Sequence, residues 1–166
     1  MTSIRAYLVG FGFAFVALAA PQAQAQGTPR DSVIAVVNAF FHAIERSDSA
    51  AAARTVYEPG MTYAFRVRGD SAVGRFESLH AFPTMLARNQ RKLVERMWDP
   101  TVHVHGPIAV LWTQYDFHID GKFSHCGIDA FTLVRLPEGW RIVNIAYTTE
   151  QTNCKPSPLG PVKSGG

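Results

Sequence analysis

Charge is scarce in this chain. Only 17% of its 166 residues are Asp, Glu, Lys or Arg, and 16 basic side chains stand against 13 acidic ones. Basic residues gather once, at Arg88, Arg91, Lys92 and Arg96, with no aromatic-basic motif beside them. That group reads as a solvated helix end and strand edge, and nothing in it makes a nucleic-acid-binding surface. No glycine-rich loop follows a strand and opens a helix, which removes phosphate-loop nucleotide binding. There is no internal repeat, and cysteine occurs only twice, at Cys126 and Cys154.

The apolar run over residues 6 to 20 is shorter than the roughly 20 residues of a membrane-spanning helix, and no basic stop-transfer cluster follows it. Arg5 before it and Ala23-Gln24-Ala25 after it give the layout of a secretory signal peptide, cut after Ala25. Residues 1–25 are therefore set apart, and the mature chain is expected in the periplasm or the medium with no membrane contact. About 140 residues remain, enough for one domain with a real core and too few for two.

Within them, Asp31 reads as the N-cap of an amphipathic helix over residues 31 to 46, with Ile34, Val37, Phe41 and Ile44 at helical spacing. Asp48 can cap a short Ala-rich helix reaching Arg54, and residues 61 to 68 alternate as a strand. Residues 75 to 88 read as a helix with Phe76, Leu79, Phe82 and Leu86 on one side and a kink or break at Pro83. Strand-like runs follow at 93–98, 102–105, 108–119, 122–135 and 140–149, with turn signals at Asp120-Gly121 and Glu138-Gly139. The proline-rich segment 154–166 reads as a disordered tail. Helices first and an antiparallel meander afterwards specify an α+β fold with helices over one face of a curved sheet.

Trp98-Asp99-Pro100, the run Ala109 to Trp112, the run Tyr115 to Lys122, the run His125 to Asp129 and the run Gly139 to Ile142 occur in an order and spacing that resembles the nuclear transport factor 2-like superfamily. The likeness is to its exported SnoaL-like and lumazine-binding-type members and covers residues 31 to 153. It implies a cystatin-like cone over residues 26–153, a half-barrel with the N-terminal helices on its concave face. It also implies an interior for a small apolar ligand and a homodimer formed through the sheet. It implies no single reaction, because members include isomerases, dehydratases, cyclases and pure binding domains. In this superfamily the strand after the second helix commonly borders the cavity, which brings in Tyr63.

If Asp120-Gly121 is a two-residue hairpin turn, Asp116 faces His125 and Trp112 faces Asp129. One face then carries Ile108, Val110, Trp112, Gln114, Asp116, His118, His125, Asp129, Phe131 and Leu133, grading from apolar to polar as a ligand pocket does. On that register His125, Asp129 and Asp116 form a candidate acid-base set for proton abstraction or dehydration. The same residues are more simply read as a satisfied cross-strand pair of Asp116 and His125, with Asp129 bonded to Trp112 or to backbone. Trp112, Tyr63, Phe131, Asn144 and Phe41 are the candidate ligand-binding residues. A metal is a weaker use of the histidines: His103 and His105 share a strand face, and His118 lies on the neighbouring strand. Ser124 is expected on the opposite face from His125, which argues against a serine-histidine-aspartate triad.

Cys126 sits early in its strand and the next strand returns beside it before Cys154, so a disulfide fastening the C-terminal segment is geometrically reasonable. Two free thiols, or a nucleophilic Cys126, are the alternatives. Three functional classes stay open on the sequence: a small-molecule-binding domain without a reaction, a cofactor-free isomerase, dehydratase or cyclase acting on an apolar or aromatic substrate, and an accessory domain whose apolar sheet face engages another protein.

Overall fold

The computed structural model describes residues 27–68 and 71–162, with the backbone alone for Val67 and Arg68. The expected signal segment and its cut after Ala25 lie outside the described residues. No helix among the described residues is long and apolar enough to cross a membrane.

Helix α1 (Pro29–Glu45) starts two residues before the predicted cap. Thr28 is the N-cap and Asp31 completes a capping box with it, so Asp31 serves the helix end from N3 while Pro29 fills the first turn. Helix α2 (Ser49–Thr55) has Asp48 as its cap, as expected, and leads into β1 (Val56–Arg68). The predicted helix over 75 to 88 is divided. β2 (Ser71–Ser78) pairs antiparallel with β1, a single 3-10 turn follows over Leu79–Ala81, and only Phe82–Arg88 is α-helical, as α3. Pro83 lies in the first turn of α3, where a missing N–H costs nothing, so it begins a helix and kinks none. β3 (Leu93–His105), β4 (Ile108–Ile119), β5 (Lys122–Leu136) and β6 (Gly139–Thr149) complete the chain.

The six strands form one sheet in the order β2-β1-β6-β5-β4-β3. All pairings are antiparallel except β1 with β6, so the sheet is mixed where the sequence suggested a purely antiparallel one. The two runs read as separate strands at 93–98 and 102–105 are one strand interrupted by a bulge between Trp98 and Thr101. Asp99 takes a left-handed conformation there, and the Trp98 carbonyl accepts a 2.8 Å bond from Thr113 Oγ1.

Helix α1 covers one face of this sheet, hereafter the inner face. Val33, Val37, Phe40, Phe41 and Ile44 pack on Leu111, Phe131, Leu133, Ile142 and Ile145, with Trp140 closing the cluster. Phe131 is the centre, edge-on to Phe41 at 5.8 Å and to Phe40 at 6.4 Å, while Phe82 of α3 lies 5.0 Å from Phe40.

The outer face is divided. On β4, Trp112 is 56% exposed, whereas Asp116 a few residues on is 5% exposed. The difference is the C-terminal segment. Cys126 and Cys154 form the disulfide, and the chain after Cys154 contains no helix or strand through Val162. It is fastened by Arg96 Nη1 donating to the Gly160 carbonyl at 2.8 Å and by a Lys155–Asp99 ion pair at 3.8 Å. Between this segment and Arg96, Asp116, His118 and Phe123 lies a cavity of about 280 Å³. Burial holds the His118 imidazole below its usual pKa, against the opposing pull of Asp116.

Cys154→Ser should therefore do two things. Loss of the bridge should cost roughly 2–4 kcal/mol of stability in denaturant unfolding. The His118 pKa, followed by NMR, should rise toward that of a solvated histidine, and a variant in which it does not move would show that the tail stays down without the bridge.

Candidate functional site

The pairing of β4 with β5 decides which side chains meet. The turn at Asp120-Gly121 is the expected two-residue one, with Ile119 opposite Lys122 and both turn residues left-handed. The ladder then slips by one residue at Ser124, so Phe117 faces His125, Asp116 faces Cys126, Thr113 faces Asp129 and Trp112 faces Ala130. The expected pairs Asp116–His125 and Trp112–Asp129 do not form. One bulge residue moves everything beyond it on β5 to the other face relative to β4.

The graded face is thereby split. His125, Asp129, Phe131 and Leu133 share the inner face with Leu111, Thr113 and Tyr115 of β4. Ile108, Val110, Trp112, Asp116 and His118 lie on the outer face. So do Tyr63, in register with Ala146 of β6, and Asn144, in register with Thr132 of β5. Of the five candidate ligand-binding residues, the inner face holds Phe131 and receives Phe41 from α1; Trp112, Tyr63 and Asn144 face away.

The three candidate acid-base residues are also separated. Asp116 is gripped on the outer face by Arg96, whose Nε and Nη2 donate to its two oxygens at 2.8 and 2.6 Å. Its Oδ1 is 3.6 Å from His118 Nδ1. His125 stacks on Phe117 at 4.9 Å and meets Tyr115 edge-on at 5.8 Å. The bulge brings Ser124 to it after all, with Oγ 3.0 Å from Nδ1. Burial and the Arg66 charge hold the imidazole below its ordinary pKa, so His125 is neutral at pH 7. The candidate metal ligands His103 and His105 project from the outer face beside Val110 and Ile108. Among the described residues no three His, Cys, Asp or Glu side chains converge on a point that could hold a metal ion.

Asp129 finds a different partner. It is 1% exposed, and among the described donors none reaches its Oδ2. The group beside it is the carboxyl of Glu95, from the inner face of β3, close enough for the two carboxyls to share a hydrogen bond. A carboxylate only accepts, so this contact exists only while one of the pair carries a proton. Burial, the Glu95 charge and the shared bond hold Asp129 well above the usual carboxylate range. Burial also pushes Glu95 up, to about 8, with the bond from Asp129 pulling the other way and the Asp116 charge adding to the rise. At neutral pH the pair holds at least one proton in common.

Two phenols border the pair. Tyr115 donates to the Thr148 carbonyl at 2.6 Å, crossing from β4 to β6 over Gly127, its register partner on β5. A Cβ on Gly127 would overlap the Thr148 carbonyl, so glycine is required at this approach. Tyr147 lies opposite Asp129 on β6, with the Arg75 guanidinium close enough to act on its phenol. Burial raises both phenol pKa values, and Asp129 and Glu95 raise them further. The inner face thus has an apolar floor of Phe40, Phe41, Phe131 and Ile145. Beyond it stands a polar wall of Glu95, Asp129, Tyr115, Tyr147 and His125.

The sequence did carry a signal for Glu95. It alternates with Leu93 and Met97 on one side of a strand, which places an acid among apolar neighbours. Tyr147 gave no comparable signal, because its role depends on the register between β5 and β6.

Three helices over a mixed, curved six-stranded sheet define a class, the α+β half-barrel. Solved structures narrow it to one fold. A nuclear transport factor 2-like superfamily protein from Salmonella enterica serovar Typhimurium aligns over 75% of this chain and 93% of its own, at 20% identity and a TM-score of 0.58. A protein with a cystatin-like fold from Novosphingobium aromaticivorans covers 75% and 84%, at 16% identity and 0.59. A family member from Streptomyces avermitilis covers 75% and 100%, at 16% identity and 0.56. The chain has the nuclear transport factor 2-like, cystatin-like fold. No family model matches its sequence, and no curated protein matches it.

The carboxyl pair makes a prediction with a definite sign. Both pKa values are raised by folding, so folding favours the protonated forms. Stability is then greatest below the unfolded carboxylate range and is lost as pH rises through about 8. Glu95→Gln should unfold with nearly the parent's free energy at pH 5 and be the more stable protein at pH 9 by more than about 1 kcal/mol. Parallel stability curves for the two proteins would show that Glu95 titrates as a solvated acid.

Proposed function

We propose that the protein binds a small, largely apolar molecule on the inner face, with its body on the phenylalanine floor and its polar atom at Glu95 and Asp129. The observation that carries this reading is the proton-sharing carboxyl pair beside an apolar floor. A buried pair of acids without a cation costs stability, and a protonated carboxyl offers a ligand carbonyl or hydroxyl a hydrogen-bond donor that a carboxylate cannot. The aromatic floor and adjacent polar wall have the make-up common to small-molecule sites.

The pKa of Glu95 favours a second reading. An acid raised to about 8 is matched to proton transfer at neutral pH, which suits a cofactor-free isomerase, dehydratase or cyclase. The Streptomyces avermitilis neighbour is provisionally called a dehydratase. In this reading Glu95 exchanges a proton with the substrate, Asp129 holds the shared proton, and Tyr115, Tyr147 and neutral His125 supply polar contacts.

Export to an oxidising compartment and a homodimer formed through the outer face complete the proposal. The disulfide suits the first. The second is supported by Ile108, Val110, Trp112, Phe65 and Phe76, all large apolar side chains exposed on that face.

Native mass spectrometry of the chain from Gln26, purified without added ligand and then denatured to release what it carries, tests the central claim. A stoichiometric organic molecule supports the pocket; a protein that stays empty through a screen of small apolar compounds overturns it. Once a ligand is known, Glu95→Gln should leave affinity within about tenfold in a pure binder, and in an enzyme should remove turnover while substrate still binds. Trp112→Glu should convert a dimer to a monomer in sedimentation, and a parent that sediments as a monomer would remove the dimer from the proposal.

A further inference from the structure

The polar wall does not end at Tyr147. Register partners place Arg75 of β2, Ala64 of β1, Tyr147 of β6, Asp129 of β5 and Thr113 of β4 in one row across the inner face. Ala64 is the short member. Across it, the Arg75 guanidinium is close enough to act on the Tyr147 phenol. Two residues along β1, on the same face, Arg66 stands between Val73 of β2 and Thr149 of β6, close enough for its charge to act on His125. The β1–β2 side of the proposed pocket therefore carries two guanidiniums, one acting on Tyr147 and the other on His125.

Among the described residues neither forms an ion pair with an acid. The arginine ion pairs among the described residues are Arg30–Asp31, Arg91–Asp120 and Arg96–Asp116. Glu77, the next inner-face position on β2, forms no ion pair with Arg75 among the described residues. The acids that do face this space, Glu95 and Asp129, bond to each other and hold a proton between them, so they offer the arginines no full pair of charges. An apolar floor, neutral donors in the middle and two unpaired guanidiniums at the rim are complementary to one kind of molecule.

We propose that the ligand of this pocket is a small aromatic or alicyclic carboxylic acid, its carboxylate held by Arg66 and Arg75 and its ring lying across Tyr147 toward Asp129 and the phenylalanine floor. The inference rests on the pocket proposed above and adds the ligand's charge. Planar guanidinium forks match a carboxylate in shape as well as sign, and an apolar acid leaves nothing on the floor unsatisfied.

The test compares 2-naphthoate with 2-naphthamide, which share shape and differ in charge, by calorimetry on the chain from Gln26. Naphthoate should bind at least about tenfold more tightly, a difference of about 1.4 kcal/mol. In the doubly substituted Arg66→Gln, Arg75→Gln protein the preference should vanish while naphthamide affinity stays put. Both positions are exposed, so the variant keeps its fold, which circular dichroism checks. Replacing both by Lys should restore part of the preference. Equal affinity of acid and amide in the parent overturns the inference and leaves the pocket intact, as does a preference that survives in the Gln variant. Absence of binding by both probes overturns the pocket and the inference together.

Discussion

The layout of this protein depends on one constraint: α1 can bury its apolar stripe against only one face of the sheet. Packing Phe40, Phe41 and Ile44 on Leu111, Phe131 and Ile142 fixes which side chain of each alternating pair points inward. Parity does the rest. Once Leu111 is inside, Thr113 and Tyr115 are inside too, and Trp112, Asp116 and His118 are outside. On β5, Phe131 carries Asp129 in with it. On β3 and β6 the same rule brings in Glu95 and Tyr147. The polar wall has no separate architecture; it is the continuation, past the edge of the helix, of the rows that make the core.

Two buried aspartates meet the cost of desolvation in opposite ways. Asp116 is met by Arg96, which supplies a forked, charge-assisted pair of bonds. Asp129 has no cation and is relieved by a proton shared with Glu95. The first arrangement is closed: each guanidinium nitrogen of Arg96 has an acceptor in Asp116 or Gly160. The second is open, since a shared proton leaves lone pairs and a donor able to turn to another molecule. This difference, more than the identity of the residues, separates a structural polar cluster from a candidate site.

Much of the fold could be read from the sequence, because long elements have long periods. The apolar spacing of α1, the Asp48 cap, the Asp120-Gly121 turn, the run of strands and the reach of Cys154 back to Cys126 are each set by local chemistry or by a short loop. The site was less legible, for a definite reason. A strand period of two makes every face assignment hostage to a single inserted residue, and the extra residue at Ser124 is not marked by a glycine or proline. The face was therefore right for β5 and inverted for β4, which put Asp116 with His125 and kept Ser124 away from it. Phe76 failed for a related reason: its helical spacing with Leu79 and Phe82 spans a strand end and two short helical pieces that share no axis.

The bulge also explains why the inner face can hold a polar wall at all. Without the shift, Asp116 and His125 would oppose each other on one face. With it, Asp116 is committed to Arg96, and His125 is left beside Tyr115 and Phe117 with Arg66 as the charge that acts on it. Burial and that charge both favour the neutral imidazole. The inner face thereby gathers groups that are uncharged at pH 7, two phenols and an imidazole, around carboxyls sharing a proton. With the charge inside suppressed, Arg66 and Arg75, which form no ion pair among the described residues, leave positive charge on the β1–β2 side of that face.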